Sequence, residues 1–173
     1  MHLDGARLFN ALVANNETPE QYGQLFDSIS ICLNKGLGCP IGSLLIGNRK
    51  LIKQARRVRK VFGGGLRQAG FMAASGLYAL QHNIKRLELD HIHARQIALA
   101  LKGKSFVGTL LPVETNIIIF EVLAPYTAAA LAEKFGSHGI KCIAISPTQI
   151  RMVTHLDINE QMVKEVVNCI QYF

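Results

Sequence analysis

Ser28-Ile-Ser-Ile-Cys-Leu-Asn-Lys-Gly-Leu-Gly-Cys-Pro-Ile-Gly-Ser-Leu-Leu-Ile-Gly47 decides how the rest of the chain is read. Two short apolar, β-prone runs flank a loop holding three glycines and a proline, and the only charge between Ser28 and Gly47 is Lys35. The pattern predicts strand, loop, strand, over 28–34 and 43–47, with one amine in the loop after the first strand. That is where α/β sheets place their ligands. No carboxylate accompanies Lys35 in the stretch, and apolar residues surround it. Such surroundings favour the neutral form of an amine, which can attack an aldehyde and hold it as a Schiff base. The same residues also read as a turn lysine ahead of a glycine, and the stretch alone leaves both readings open.

Working outward, composition bounds the answer. In 173 residues the chain has room for one full domain, or for one domain and part of another. Hydrophobic residues make up 49% of it, yet no run approaches the roughly 18 to 20 apolar residues of a membrane span. The expectation is a soluble protein that buries surface against a partner. Asp4 and Arg7 stand near the start, with no apolar core of a signal peptide. Cys32, Cys39, Cys142 and Cys169 form no CxxC pair and no zinc-like spacing with histidine, so they read as free thiols in a reducing cytoplasm, with no metal site.

The net charge of +7 comes from one segment. Arg49, Lys50, Lys53, Arg56, Arg57, Arg59 and Lys60 contribute seven cations and no acid, and elsewhere cations and acids balance. Leu51, Ala55, Val58 and Phe62 recur at helical spacing among them, which predicts a basic amphipathic helix. A solvated face is the ordinary meaning of such a helix; a phosphate-bearing ligand, a nucleic acid or an acidic subunit surface are alternatives. No aromatic residue is interleaved with these cations, which argues against single-stranded nucleic acid.

Met1 to Arg7 reads as the closing residues of a strand, so the chain is expected to begin in mid-fold. Leu8 to Val13 follows as a helical run, and Thr18-Pro19-Glu20-Gln21 supplies an N-cap, a first-turn proline and a capping-box glutamine. Gly63-Gly64-Gly65-Leu66-Arg67-Gln68 links the basic helix to an apolar helix over about 68–82, and another helix spans about 84–102. His91 and His93, two apart on that helix, face different sides and are not a metal pair. Beyond Ser105 the pattern predicts an apolar strand over 116–122, a helix over 127–138, short strands near 140–146 and 149–154, and a closing helix with Asp157 and Glu160 at capping-box spacing. This is a small α+β unit, with Pro112 near its boundary.

His2-Leu3-Asp4-Gly5-Ala6-Arg7, Ile31-Cys32-Leu33-Asn34-Lys35-Gly36-Leu37-Gly38, Gly63-Gly64-Gly65-Leu66-Arg67-Gln68 and Arg151-Met152-Val153-Thr154-His155 occur in the order seen in threonine aldolases. The chain closely resembles the low-specificity L-threonine aldolase family, pyridoxal-phosphate (PLP) enzymes of the aspartate-aminotransferase-like fold. The resemblance covers essentially all of this chain and about the C-terminal half of the family's usual one. It implies an α/β fold: the C-terminal part of a PLP-dependent transferase-like large domain with connecting helices, residues 1–104, followed by a small α+β domain, residues 105–173.

Residue by residue, the resemblance implies that Lys35 anchors the cofactor and that Asp4 pairs with its pyridine nitrogen, keeping the ring an electron sink. Arg7 and Arg151 match positions around the cofactor and the substrate carboxylate. Lys60 and Arg67 match basic residues near the cofactor phosphate, reaching in from a neighbouring subunit of a homo-oligomer, a tetramer in the family. The implied reaction is retro-aldol cleavage of L-threonine or L-allo-threonine to glycine and an aldehyde, in the cytoplasm, without nucleic acid or membrane. Asn34 departs from the serine more usual in the family. The family's glycine-rich phosphate cup, its ring-stacking side chain and its proton-handling histidines match nothing here. A catalytically incomplete fragment, acting only as a subunit or interaction module, is the alternative these absences raise.

Overall fold

The computed structural model describes all residues from Met1 to Phe173, as two compact units, Met1–Leu87 and Glu88–Phe173. In the first, β1 (His2–Asp4), α1 (Leu8–Asn15), α2 (Pro19–Leu25), β2 (Ser28–Cys32), β3 (Ser43–Gly47), α3 (Arg49–Val61) and α4 (Gly70–His82) follow in order. The strands form one sheet ordered β1-β2-β3, with β1 parallel and β3 antiparallel to β2. Alternation in Ser-Ile-Ser-Ile-Cys sends Ile29 and Ile31 into a core with Leu8, Phe9, Leu12, Leu33 and Leu37, while Ser28, Ser30 and Cys32 face the other side, half-buried. The capping box forms as expected: the Thr18 N–H donates to Gln21 Oε1 at 2.8 Å and Pro19 opens α2. β2 ends at Cys32, two residues before the expected limit, although Leu33 continues the inward alternation and its N–H still donates to Gly42 O at 2.9 Å.

α3 is capped by Asn48, whose side chain accepts from the Leu51 N–H at 2.9 Å, and it buries none of its residues. Leu51 and Ala55 are half-covered, but Val58 and Phe62 are exposed, so the apolar side expected of this helix lacks a covering surface. β3 is a sheet edge and Leu44, Leu45 and Ile46 are all exposed.

The second unit contains almost all of α5 (Leu87–Leu101), then β4 (Val107–Leu110), β5 (Ile117–Val122), α6 (Ala128–Ser137), β6 (Ile143–Ser146), β7 (Gln149–Val153) and α7 (Glu160–Gln171). Its four strands form an antiparallel sheet ordered β4-β5-β7-β6. Ile118, Phe120 and Val122 on β5 and Ile150 and Met152 on β7 pack against α5, α6 and α7 in a continuous core. Each fully buried large side chain there, such as Phe120, Leu131 or Ile150, contributes about 1.5 to 3 kcal/mol by leaving water. β4 does not stand out in the sequence; its edge position and the glycine and proline around it hide the strand pattern. The cap of α7 is Asn159, which accepts from the Met162 N–H at 2.9 Å, rather than Asp157, whose carboxylate lies 3.4 Å from His155 Nδ1.

Candidate active site

Parallel pairing puts the carboxyl ends of β1 and β2 at one end of the sheet, with Asp4 opposite Ser30. Asp4 is exposed, and its Oδ1 accepts from the Ser30 hydroxyl at 3.4 Å. Directly after it, the Gly5 N–H donates to Ser30 O at 2.9 Å; a Cβ at Gly5 would stand 2.9 Å from that oxygen, so the chain turns away from the sheet with no side chain there. Arg7 follows, half-buried, at the N-cap of α1.

The loop after β2 is fixed at its base. The Cys39 N–H returns to Leu33 O at 3.0 Å, the Gly38 N–H donates to Lys35 O at 2.9 Å, and Gly38 takes φ +75, open to glycine. Asn83 Nδ2 donates to Leu37 O at 2.8 Å. A Cβ at Gly36 would meet Asn10 Oδ1 at 2.8 Å and Leu87 Cδ2 at 3.0 Å, so the backbone next to Lys35 is packed on two buried side chains. Lys35 itself is exposed. The apolar neighbours expected to crowd the amine, Leu33 and Leu37, point into the core instead. Arg7, Cys32 and Gly36 share a cavity of about 10 Å³, room for one water, so Asp4, Arg7 and the Lys35 loop converge at one end of the sheet. Asn10, Asn83 and Leu87, which hold this loop, carry no motif; a polar residue inside the apolar run Leu8 to Val13 is the one sign that could have flagged Asn10.

Lys60 lies in the last turn of α3 and Arg67 in the link that follows, both exposed. The Gly64 N–H folds back to Arg59 O at 2.8 Å, and Gly64 and Gly65 lie so close to the Arg59 and Lys60 side chains that a Cβ would stand 3.0 and 3.4 Å from them. No hydrogen bond or ion pair joins Lys60 or Arg67 to the Lys35 loop.

In the second unit Arg151 sits on β7 between Ile119 of β5 and Ile143 of β6. It is half-buried, its Nε is covered and has no hydrogen-bond partner, and no carboxylate pairs with it. Thr154, just past the end of β7, belongs to a buried polar network: its hydroxyl donates to Asp90 O at 2.6 Å, and Asn116 Nδ2 donates to Thr154 O at 2.8 Å. His91, buried on α5, has its pKa held below the usual histidine value, chiefly by burial and then by Arg95. Burial pushes the Cys142 thiol up to about 11. His155 and Asp157 line a cavity of about 460 Å³ whose walls include Ile97, Ile140 and Met152.

The family profile described as "Beta-eliminating lyase" matches residues 1–124. The chain is 44% identical over 166 residues to the low specificity L-threonine aldolase of Escherichia coli O157:H7, covering 96% of this chain and 48% of that protein. It is 37% identical over 174 residues to low-specificity L-threonine aldolase 1 of Arabidopsis thaliana, covering 99% of this chain and 49% of that one. The chain thus spans about half the length of the curated relatives it matches. Among solved structures, threonine aldolase from Leishmania major superposes with a TM-score of 0.77 at 17% identity, over 99% of this chain and 51% of the other. The fold is therefore that of the aminotransferase-like PLP enzymes, and the family's cofactor is pyridoxal phosphate. The residues at this end of the sheet fit that group: an exposed amine on a fixed loop after β2 and an exposed carboxylate at the end of the neighbouring strand β1. With its profile matched from residue 1 to residue 124 and its motifs seated on that fold, the chain belongs to the beta-eliminating lyase family.

Proposed function

We propose that this chain is the carboxyl-terminal part of a PLP-dependent threonine aldolase, a carbon–carbon lyase that cleaves β-hydroxy-α-amino acids such as L-threonine and L-allo-threonine to glycine and an aldehyde. The observation that carries the reading is that an exposed carboxylate, Asp4, ends β1 and an exposed lysine, Lys35, stands in the loop after the adjacent parallel strand β2, both at the carboxyl ends of these strands. Pyridoxal phosphate, when bound, supplies an electron sink for the bond broken at the substrate's α-carbon. In this reading Lys35 holds the cofactor through Nζ, and Asp4 keeps the proton on the pyridine nitrogen. Arg7 helps to orient cofactor and substrate, and Arg151 takes the substrate carboxylate through its guanidinium. Lys60 and Arg67 serve the cofactor phosphate of a neighbouring subunit in a homo-oligomer; their exposure and lack of partners leave both free for that role. Residues 1–104 then form the partial cofactor domain with its connecting helices and 105–173 the small domain. The protein works in the cytoplasm, consistent with four free cysteines and with the absence of any helix long and apolar enough to cross a membrane.

Borohydride reduction of the chain completed with the half its relatives carry tests the anchor. The cofactor is expected on the peptide containing Lys35, with turnover abolished in Lys35→Ala; an adduct on another lysine refutes the assignment. Arg151→Leu should weaken amino-acid binding by on the order of 2 to 4 kcal/mol and leave cofactor affinity nearly unchanged. Equal loss of both would make it a structural residue.

A second reading has an observation of its own. The exposed edge strand β3 and the uncovered apolar side of α3 suit a chain that contributes surface to a larger assembly. On this reading residues 1–173 alone, with saturating PLP, release no aldehyde from L-threonine above the cofactor by itself. Stereospecific turnover by the chain alone would overturn it.

A further inference from the structure

We propose that Ile119 and Ile143 are positioning residues for Arg151, two aliphatic walls that cover its Nε and leave only the terminal guanidinium nitrogens to meet a carboxylate end-on. The inference rests on the reading of Arg151 as the group that takes the substrate carboxylate. It adds which face of the guanidinium does so and what holds that face in place.

The register puts Ile119 directly across from Arg151 on one side and Ile143 on the other. Directly opposed residues in antiparallel strands hold their Cβ atoms about 4.5 to 5.5 Å apart, so two branched side chains flank the arginine stem. The helices of this unit pack on the opposite face of the sheet, where Ile118, Phe120, Ile150 and Met152 are buried. On the Arg151 face, the side-chain positions of β5 and β7 are Ile117, Ile119, Glu121, Gln149 and Val153, all half-buried. Glu121 is the only acid among them. It lies across from Gln149 rather than Arg151, and its Oε2 accepts from the Thr109 N–H at 3.4 Å. Arg151 thus has aliphatic residues directly opposite it on both neighbouring strands and no carboxylate paired with it, its stem covered in the manner of long cationic side chains.

The covered Nε decides the geometry. A guanidinium can meet a carboxylate side-on, through Nε and one terminal nitrogen, or end-on, through both terminal nitrogens. Nε has no solvent access and no acceptor. A side-on approach would have to displace the wall, whereas the end-on fork is open. Leaving a donor unsatisfied in this way carries a free-energy cost, and such groups persist where the surrounding structure imposes them. An acidic residue at either flanking position would capture the fork internally, which the two isoleucines prevent.

The test reads the atom directly. In the 173-residue chain, the Nε–Hε resonance of Arg151 is assigned as the one lost in Arg151→Lys. Its exchange with water should be at least about tenfold slower than that of the exposed α3 arginines. Ile119→Ala or Ile143→Ala should speed it severalfold while the backbone amide shifts of β5 and β7 persist. Ile119→Val, which keeps the branched wall, should leave it near the parent rate even if the alanine variant fails to fold. Exchange as fast as in α3, or folded alanine variants with the parent rate, overturns the proposal. In the completed enzyme, Ile119→Glu should raise KM for the amino acid at least about tenfold with kcat little changed, because a bound carboxylate must now compete with an internal one. An unchanged KM overturns the proposal as well. A completed enzyme that cleaves no amino acid before any substitution refutes the aldolase reading instead, and the exchange measurement still decides the geometry.

Discussion

Gly5→Ala tests how Asp4 is placed. A Cβ at Gly5 would stand 2.9 Å from Ser30 O, 3.1 Å from Leu8 Cβ and 3.3 Å from Ile29 Cγ2, all inside the 3.4 Å at which ordinary contact begins. The nearest atom belongs to backbone, so no rotamer change relieves it. Overpacking of this kind costs about 1 to 3 kcal/mol. The shift also strains the 2.9 Å bond from the Gly5 N–H to that oxygen, a further 0.5 to 1.5 kcal/mol or so if lost. Gly5 does not sit at positive φ, so alanine regains roughly 0.4 to 1 kcal/mol by restricting the unfolded chain. The net loss is about 1 to 3 kcal/mol. With a urea dependence of roughly 2 kcal/mol per molar, the unfolding midpoint of the first unit should fall by about 0.5 to 1.5 M. Gly23→Ala is the control: it lies inside α2 with nothing within 4 Å and should raise the midpoint by the equivalent of about 0.5 to 1 kcal/mol. Far-ultraviolet circular dichroism in urea reads both. A midpoint for Gly5→Ala equal to or above the parent would refute the reasoning, since the clash and the bond both predict a fall.

Three other outcomes follow from the structure. Cys142, its thiol pushed up to about 11 by burial, should react with iodoacetamide at pH 8 on the order of a hundredfold more slowly than an unperturbed thiol; labelling at the ordinary rate would contradict that burial. His91 has a lowered pKa in the folded state, so the unfolded chain binds the proton more readily; its contribution is fully present above about pH 6.5 and lost as pH falls toward the folded value. Urea midpoints between pH 8 and 5 should therefore decline on acidification, and less steeply in His91→Gln; identical slopes would sink the point. Finally, Leu44, Leu45 and Ile46 on the β3 edge, with Phe62 and Phe71 at 84% and 89% exposure, should make the chain associate as concentration rises to about 100 µM. Sedimentation velocity decides it, and Leu45→Lys should weaken the association; a monomer throughout would show that these surfaces do not pair.

Much of the fold is legible in local sequence because local physics sets it. The limits of β3, the Thr18 to Gln21 capping box and the alternation of Ser28 to Cys32 each depend on residues within a turn or two. β4 was not legible, since Val107 to Leu110 becomes a strand by pairing with β5, beyond the reach of its own pattern. The cap of α7 differs from the expected one for a related reason. Asp157 and Asn159 both precede the helix, and spacing to Glu160 favours the first, but the chain turn through His155 to Ile158 brings Asn159 to the Met162 N–H. The apolar residues of α3 were read correctly as a helical stripe, yet periodicity does not say whether anything covers the stripe, and here Val58 and Phe62 are exposed.

The candidate site divides along the same line. Lys35 and Asp4 stand out through the order of motifs, whereas the expected crowding of Lys35 by apolar neighbours is absent, because Leu33 and Leu37 point into the core. An anchoring amine needs a free tip on a fixed base. The free tip is legible, as one charge in an apolar loop. The fixed base is not: it consists of Asn10 and Leu87 packed against Gly36 and of Asn83 bonded to Leu37 O, residues 26 to 51 positions from those they hold. Sequence marks the exposed amine, but the residues that fix its loop are contributed by α1, the end of α4 and the start of α5, and only the fold brings them together.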